Sequence, residues 1–242
     1  MKPLALPAVV IPAYNEAATI RAVAERARAQ LPLVIVVDDG STDGTSAALA
    51  GLDVVLLRNA TNLGKAASLR RGTDEALQHG AQAVVTLDGD GQHCPEDIPL
   101  LLAAWREAPA RIVIGARLHR RELIPASRYW ANRVANFWIG LAAGYAIADS
   151  QSGFRVYPAR VLREARVASG RAHSFVFESE ILIDAARLGV QARCVPVQVV
   201  YGERARASHF RPVLDIARIV RMVAWRLIGQ GLLQRAAALR RA

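Results

Sequence analysis

The sequence predicts an α/β fold built on a mostly parallel, doubly wound sheet. Three observations predict it. Short apolar runs recur along the first half without the alternation of a half-exposed strand, as strands buried on both faces do. Helix-like stretches separate these runs, which suits parallel crossovers. Polar residues gather where the runs stop, and open α/β sheets bind ligands beyond the carboxyl ends of their strands.

Each element has its own signal. Ala8–Ile11 is the first apolar run, and Ala17–Gln30 reads as a helix. Leu33–Val37 is β-rich and is followed by a helix from about Asp43. Val54–Leu57 is the next strand, with Lys65–His79 as a helix behind it. Ala83–Leu87 follows, then Pro95–Glu107 as a helix with proline near its start, where the missing N–H costs nothing. Arg111–Gly115 is again a strand. The second half is less regular: Ala126–Ala148 helical, Gly153–Tyr157 a short strand, Phe177–Leu188 helical with Gly189 as its cap, and Val190–Tyr201 extended.

Composition bounds the rest. Of the 242 residues, 52% are hydrophobic, enough for a large core in one or two domains. The two cysteines, Cys94 and Cys194, form no CxxC pair, which argues against zinc or a disulfide scaffold. The net charge of +10 is uneven: from Tyr201 onward nine Arg against Glu203 and Asp215 give +7. That tail suits an anionic partner such as lipid headgroups, nucleic acid or a phosphorylated substrate. The chain opens without a signal-peptide pattern, and no run reaches the roughly 18–20 apolar residues of a bilayer span. The nearest, Val134–Ala148, is too short and reads as a buried helix.

Four predicted strand ends carry the polar chemistry. They are Pro12-Ala13-Tyr14-Asn15-Glu16, Asp38-Asp39-Gly40-Ser41, Asp88-Gly89-Asp90, and Arg117. Asp88 and Asp90, one glycine apart, can reach a common ligand, and carboxylates so placed suit Mg²⁺ or Mn²⁺. Gln92 can add an oxygen, and His93 suits a supporting hydrogen bond. Asp38 at a strand tip can accept from a nucleobase or ribose, whereas Thr42 or Asp43 can cap the following helix. Asn62-Leu63-Gly64-Lys65-Ala66 is not a Walker A loop, because Asn59 and Ala66 stand where Gly and Ser/Thr are needed. No GxGxxG follows the first strand, and GxSxG and HExxH are missing.

Seven segments in order, from about Val9 to Gly189, resemble the family 2 glycosyltransferases of GT-A fold, dolichol- or polyprenol-phosphate mannose synthase-like. They are VVIPAYNEAATI, VVDDGSTDGT, NLGKAASLRRG, VVTLDGDGQHCPEDIP, IGAR, DSQSGFRVYP and FVFESEILIDAARLG. The ending, SHFRPVLDIARI, is similar to a bacterial branch with members in aryl-polyene or xanthomonadin pathways, with His209 where relatives often carry lysine. The resemblance implies a nucleotide-sugar donor. Pro12, Tyr14, Glu16 and Asp38 then match nucleoside-binding positions, with Asp88 and Gly89 on the donor side. Asp90 and Gln92 match metal-binding positions at the diphosphate. Arg117 matches an arginine near the phosphates, Arg128 and Asn132 an acceptor-phosphate region, and Asp149 an acid facing the reacting sugar. The implied activity is inverting, Mg²⁺- or Mn²⁺-dependent transfer to a polyprenyl-phosphate or other lipid acceptor.

If the acceptor is a hydroxyl instead, it needs a general base, for which Asp149 is the candidate. The other reading of Asp149 is a structural carboxylate paired with Arg155. Residues 1–210 are expected to form the catalytic domain and 211–242 a basic amphipathic helical tail. Around Val213–Ile228, Asp215, Arg218, Arg221 and Arg226 fall within an arc of about 140°. Such a helix can lie in a membrane interface or pack on its own domain. Peripheral attachment to the cytoplasmic face is the expectation. A basic nucleic-acid-binding protein is the alternative from another class, disfavoured because no aromatics interleave with the tail's arginines.

Overall fold

The computed structural model describes residues 6–117, 124, 126–165, 175–198 and positions 220, 221, 223 and 224. Its elements run β1 (Pro7–Ala13), α1 (Ile20–Arg28), β2 (Val34–Asp38), α2 (Thr45–Ala48), β3 (Val55–Arg58), α3 (Lys65–Gln78) and β4 (Ala83–Thr86). A 3₁₀ turn (Pro95–Asp97) leads into α4 (Ile98–Glu107), then β5 (Ile112–Ala116), α5 (Ala126–Ala143), β6 (Arg155–Pro158), α6 (Ala159–Glu164), α7 (Phe175–Arg187) and β7 (Ala192–Pro196).

The seven strands form one sheet in the order β3-β2-β1-β4-β6-β5-β7. β1 pairs parallel with β2 and β4, β2 with β3, and β5 with β7. β6 runs antiparallel between β4 and β5. Six strands therefore end on one rim, and the order reverses between β1 and β4, the switch point where such sheets bind ligands.

Both faces of the sheet are covered, which explains why its strands read as unbroken apolar runs. Val9 and Ile11 pack with Val23 and Ala24 of α1 and Leu101 and Trp105 of α4. Ala8 and Val10 point to the other side, against Leu69 of α3, Ile139 of α5 and Leu182 of α7. Each large aliphatic chain removed from water in this way contributes about 1.5–3 kcal/mol.

Several elements differ from the sequence reading. The helix expected from about Asp43 is the single turn α2, because the loop before it is tied down by Asp43 itself. α1 begins three residues later than expected, since the Ala17 N–H donates to Asp43. α5 stops at Ala143, where the N–H groups of Gly144 and Tyr145 turn back to the Gly140 carbonyl. Gly144 (φ +78°) and Gly189 (φ +76°) take the left-handed conformation that closes a helix. The segment Val134–Ala148 is not simply buried: Val134, Phe137 and Leu141 are exposed. β6 is antiparallel, a direction its four residues could not reveal. Both cysteines are free thiols. The proposed tail falls mostly outside the described residues. Within it, Val223 is buried in the core shared by α5 and α7, so at least one of its apolar positions packs on the domain.

Candidate active site

The rim is assembled from loops that bind one another. Asn15, in a left-handed conformation (φ +55°), donates its N–H to Ser41 Oγ at 2.9 Å and accepts the Thr42 N–H at 2.9 Å. The Glu16 N–H donates to Thr45 Oγ1 at 2.8 Å. The Thr19 hydroxyl donates to the carbonyl of Gly89 at 2.7 Å, tying α1 to the Asp88–Asp90 turn. Pro12 lies buried in β1 opposite Val37, while Tyr14 is 40% exposed at the mouth.

The acids after β2 are absorbed by this scaffold. Asp38 is fully buried; one oxygen accepts the Ser41 N–H at 2.9 Å and the other the Ser46 hydroxyl. Its carboxylate, expected to meet a nucleoside, is here occupied in shaping its own loop. Asp39 accepts from the Asn59 side chain at 2.7 Å and from the N–H groups of Leu63 and Gly64 at 2.9 and 2.8 Å. That fixes the loop leading into α3 and places Lys65 at the helix start.

Lys65 is the residue the sequence reading passed over. Its Nζ lies 2.6 Å from Asp88 Oδ1 and 2.8 Å from Glu178 Oε1 of α7. Burial opposes the ammonium charge, but the two carboxylates outweigh it and hold the lysine well above its ordinary pKa. Burial likewise opposes ionisation of Asp88, and Lys65 and His93 outweigh it, so the carboxyl is held far below its usual range. Gly153 makes room: a Cβ there would sit 2.7 Å from Asp88 Oδ2 and 3.0 Å from Lys65 Nζ. His93 packs on Phe154 with its Nε2 3.8 Å from Asp88. His93 Nδ1 and Glu178 Oε2 are buried without a hydrogen-bond partner among the described residues. A Gly-Lys at the start of a helix, just beyond a strand end, was the available signal for Lys65. Glu178 had none beyond its place in FVFESE.

Asp90 lies two residues further on, with Oδ1 accepting the Gln92 N–H at 2.9 Å. Burial, then the neighbouring Asp88 carboxylate, raise its pKa. No group of three or more His, Cys, Asp and Glu gathers around a point among the described residues. The available donors are hard oxygens on Asp90 and Gln92, and the Asp90 carboxylate, disfavoured by burial and by the Asp88 anion beside it, would gain from a cation. This fits Mg²⁺ or Mn²⁺ held by one or two protein oxygens, with substrate phosphates completing the shell.

The other side of the rim is set by a buried ion pair. Asp149 is fully buried and accepts from the Arg117 backbone N–H at 3.0 Å, from Nε at 3.1 Å and from Nη2 at 3.3 Å. Burial opposes its ionisation, and Arg117 outweighs it, holding the carboxyl below its ordinary pKa. The partner is therefore Arg117 rather than Arg155. Arg155 is itself fully buried and donates to three carbonyls, those of Ser150 and Ser152 at 2.7 Å and Glu178 at 2.6 Å. Asn136 accepts from the N–H and hydroxyl of Ser150 and donates to Ala148, binding α5 to the same loop. Asn132 is buried on α5, and the Arg128 side chain lies outside the described residues. The Thr86 hydroxyl donates to the Gly153 carbonyl at 2.8 Å, so the loop carrying Asp149 reaches the turn carrying Asp88. Both groups of residues share one edge of the sheet.

Comparison with known proteins identifies the family and the fold. A family model described as Glycosyl transferase family 2 matches residues 8–165. The polyprenol monophosphomannose synthase of Mycolicibacterium smegmatis is 31% identical over 200 residues, 78% of this chain and 75% of its own. A UDP-N-acetylglucosamine–dolichyl-phosphate N-acetylglucosaminyltransferase of Methanococcus voltae is 29% identical, covering 82% of this chain and 87% of its own. Among solved structures, glucosyl-3-phosphoglycerate synthase of Mycobacterium tuberculosis, in complex with Mn²⁺, UDP and glucosyl-3-phosphoglycerate, superposes with a TM-score of 0.67 at 20% identity. That superposition covers 93% of this chain and 80% of the other. The fold is thereby that of the GT-A glycosyltransferases.

Proposed function

The chain belongs to glycosyl transferase family 2, and from that premise we propose that it moves a sugar from a nucleoside-diphosphate donor to a polyprenyl phosphate, with inversion at the anomeric carbon. The names of its relatives support the acceptor class. The observation that carries the choice of acceptor is the bidentate Arg117–Asp149 pair. A carboxylate held below its ordinary pKa by a buried guanidinium is a poor proton acceptor. A hydroxyl acceptor would need a base here. A lipid monophosphate is already an anion and needs only to be held, which a cation oriented by Asp149 can do.

The chain's own residues then divide the work. Pro12, Tyr14, Glu16, Asp88 and Gly89 line the donor side at the β1–β4 switch point, with Asp38 shaping the loop beside them. Lys65, itself held by Glu178, and His93 keep Asp88 an anion. Asp90 and Gln92 would hold Mg²⁺ or Mn²⁺, which neutralises charge on the departing nucleoside diphosphate. Arg117, oriented by Asp149, and Arg128 offer positive charge to the acceptor phosphate. One phosphate oxygen of the acceptor bonds to the anomeric carbon as the bond to the donor diphosphate breaks, and no proton need move. The enzyme would work at the cytoplasmic face of a membrane, where lipid phosphates present their headgroups.

Calorimetry with GDP-mannose, UDP-glucose and UDP-GlcNAc, each with and without Mn²⁺, tests the donor side. Asp90→Ala should abolish the Mn²⁺-dependent part of binding while the circular dichroism stays unchanged. Donor binding that ignores both Mn²⁺ and this substitution would remove the assignment. Labelled sugar should pass to polyprenyl phosphate and not to the corresponding alcohol; transfer to the alcohol would restore the need for a base.

A further inference from the structure

α5 buries mostly small and amide side chains, with Ile139, and turns most of its large apolar ones outward. Ala131, Asn132, Ala135, Asn136 and Ile139 are buried. Trp130, Val134, Phe137 and Leu141 are 58%, 42%, 65% and 53% exposed. Their spacing of four, three and four residues puts them within an arc of about 60°, in a row about 16 Å long. Such a contiguous apolar row on a helix marks an interaction surface, whereas scattered exposed residues do not.

We propose that this face of α5 lies in the interface of an anionic lipid bilayer and carries the enzyme's contact with the membrane. The reading rests on the lipid-phosphate acceptor proposed above. Charge supports a lipid occupant: the sequence of α5 contains no acid, and Arg133 stands exposed beside the row. Tryptophan and phenylalanine are the side chains favoured at headgroup depth. Placement supports it too. α5 follows β5, whose end is succeeded by Arg117, and its buried Asn136 is bonded to the loop of Asp149. The face that would enter the bilayer is thus rigidly joined to the residues that would meet a phosphate at its surface. Among the described residues no helix is long and apolar enough to cross a membrane. Val223 of the tail is buried against the domain core, which leaves α5 as the apolar face the described residues present.

Flotation with vesicles of equal parts phosphatidylcholine and phosphatidylglycerol tests this on the full chain. The double variant Trp130→Ser with Phe137→Ser should keep the wild-type circular dichroism and lose at least about tenfold in vesicle partitioning. A matched control, Leu56→Ser with Leu100→Ser, removes exposed apolar side chains elsewhere and should float like the wild type. Equal flotation of the stripe variant and the wild type overturns the proposal, as does a wild type that does not float. A concentration-dependent dimer that the stripe substitutions dissolve, seen by sedimentation, also overturns it in favour of a second copy. A short water-soluble prenyl phosphate, offered without vesicles, separates the two readings. Turnover there with no flotation removes the membrane face and leaves the acceptor class. Flotation lost in the stripe variant, with no transfer to any prenyl phosphate, removes the acceptor class and leaves the face.

Discussion

The two sides of the rim solve the same problem with opposite charges. On the side proposed for the donor, N–H groups of the irregular loops after β1, β2 and β3 are collected by the carboxylates of Asp38, Asp39 and Asp43. On the side proposed for the acceptor, the loop before β6 and the start of α7 turn carbonyls inward, and the guanidinium of Arg155 collects those. A buried loop cannot leave its backbone groups unmet, so the polarity of the exposed peptide edge dictates the sign of the buried side chain. The lesson concerns reading sites: an acid or arginine in a family motif can be spent on the backbone while its neighbour does the chemistry. Asp38, Asp39 and Arg155 are spent in this way, whereas Asp88, Asp90 and Arg117 are the residues for which chemistry is proposed.

Substitutions can break that symmetry, and the acceptor side should suffer more. Arg155→Met leaves three buried carbonyls without donors and should cost about 5 kcal/mol, read from the urea midpoint. Survival of the variant within about 1 kcal/mol of wild type would show that water replaces the guanidinium there. Asp149→Asn should cost about 3 kcal/mol, because it discharges one partner of a buried pair. It should also change the acid limb. Asp149 is held below the ordinary 3.8, so its contribution is full above that value and fades as pH falls through its folded pKa. The variant should accordingly lose stability less steeply below about pH 4, by up to about 1.4 kcal/mol per pH unit. Asp39→Ala should cost least, about 2 kcal/mol. The Leu63 N–H that it frees lies on an exposed residue and can turn to water. A larger loss for Asp39→Ala than for Arg155→Met would invert the comparison.

Much of the fold was legible because burial on both faces writes itself into local sequence. Ala83–Leu87 reads as a strand since every residue of it is apolar or small, and the structure begins and ends β4 within a residue of that range. The direction of β6 was not legible, because the short apolar segment Val156-Tyr157-Pro158 pairs equally well either way. In the site, Asp88-Gly89-Asp90 was legible as acid at the end of a buried run. Lys65 and Glu178 were not, since Lys65 meets Asp88 and Glu178 together only when α3 and α7 pack on the same face of the sheet. α5 misled for a subtler reason. Apart from Ile139, its buried face is made of alanine, asparagine and glycine, and its exposed face carries tryptophan, valine, phenylalanine and leucine, so the usual rule for locating the core points outward.

The sequence by itself determined which segments become strands and which residues stand at their carboxyl ends. Backbone preference and the apolar pattern act over a few neighbouring residues, and the chain carries both openly. Only the tertiary structure decided which charge meets which: Lys65 with Asp88 and Glu178, Arg117 with Asp149, Arg155 with carbonyls. Coulombic attraction and hydrogen bonding fall away within a few ångströms, so partners far apart in the chain become partners only once the sheet has brought their loops to one edge.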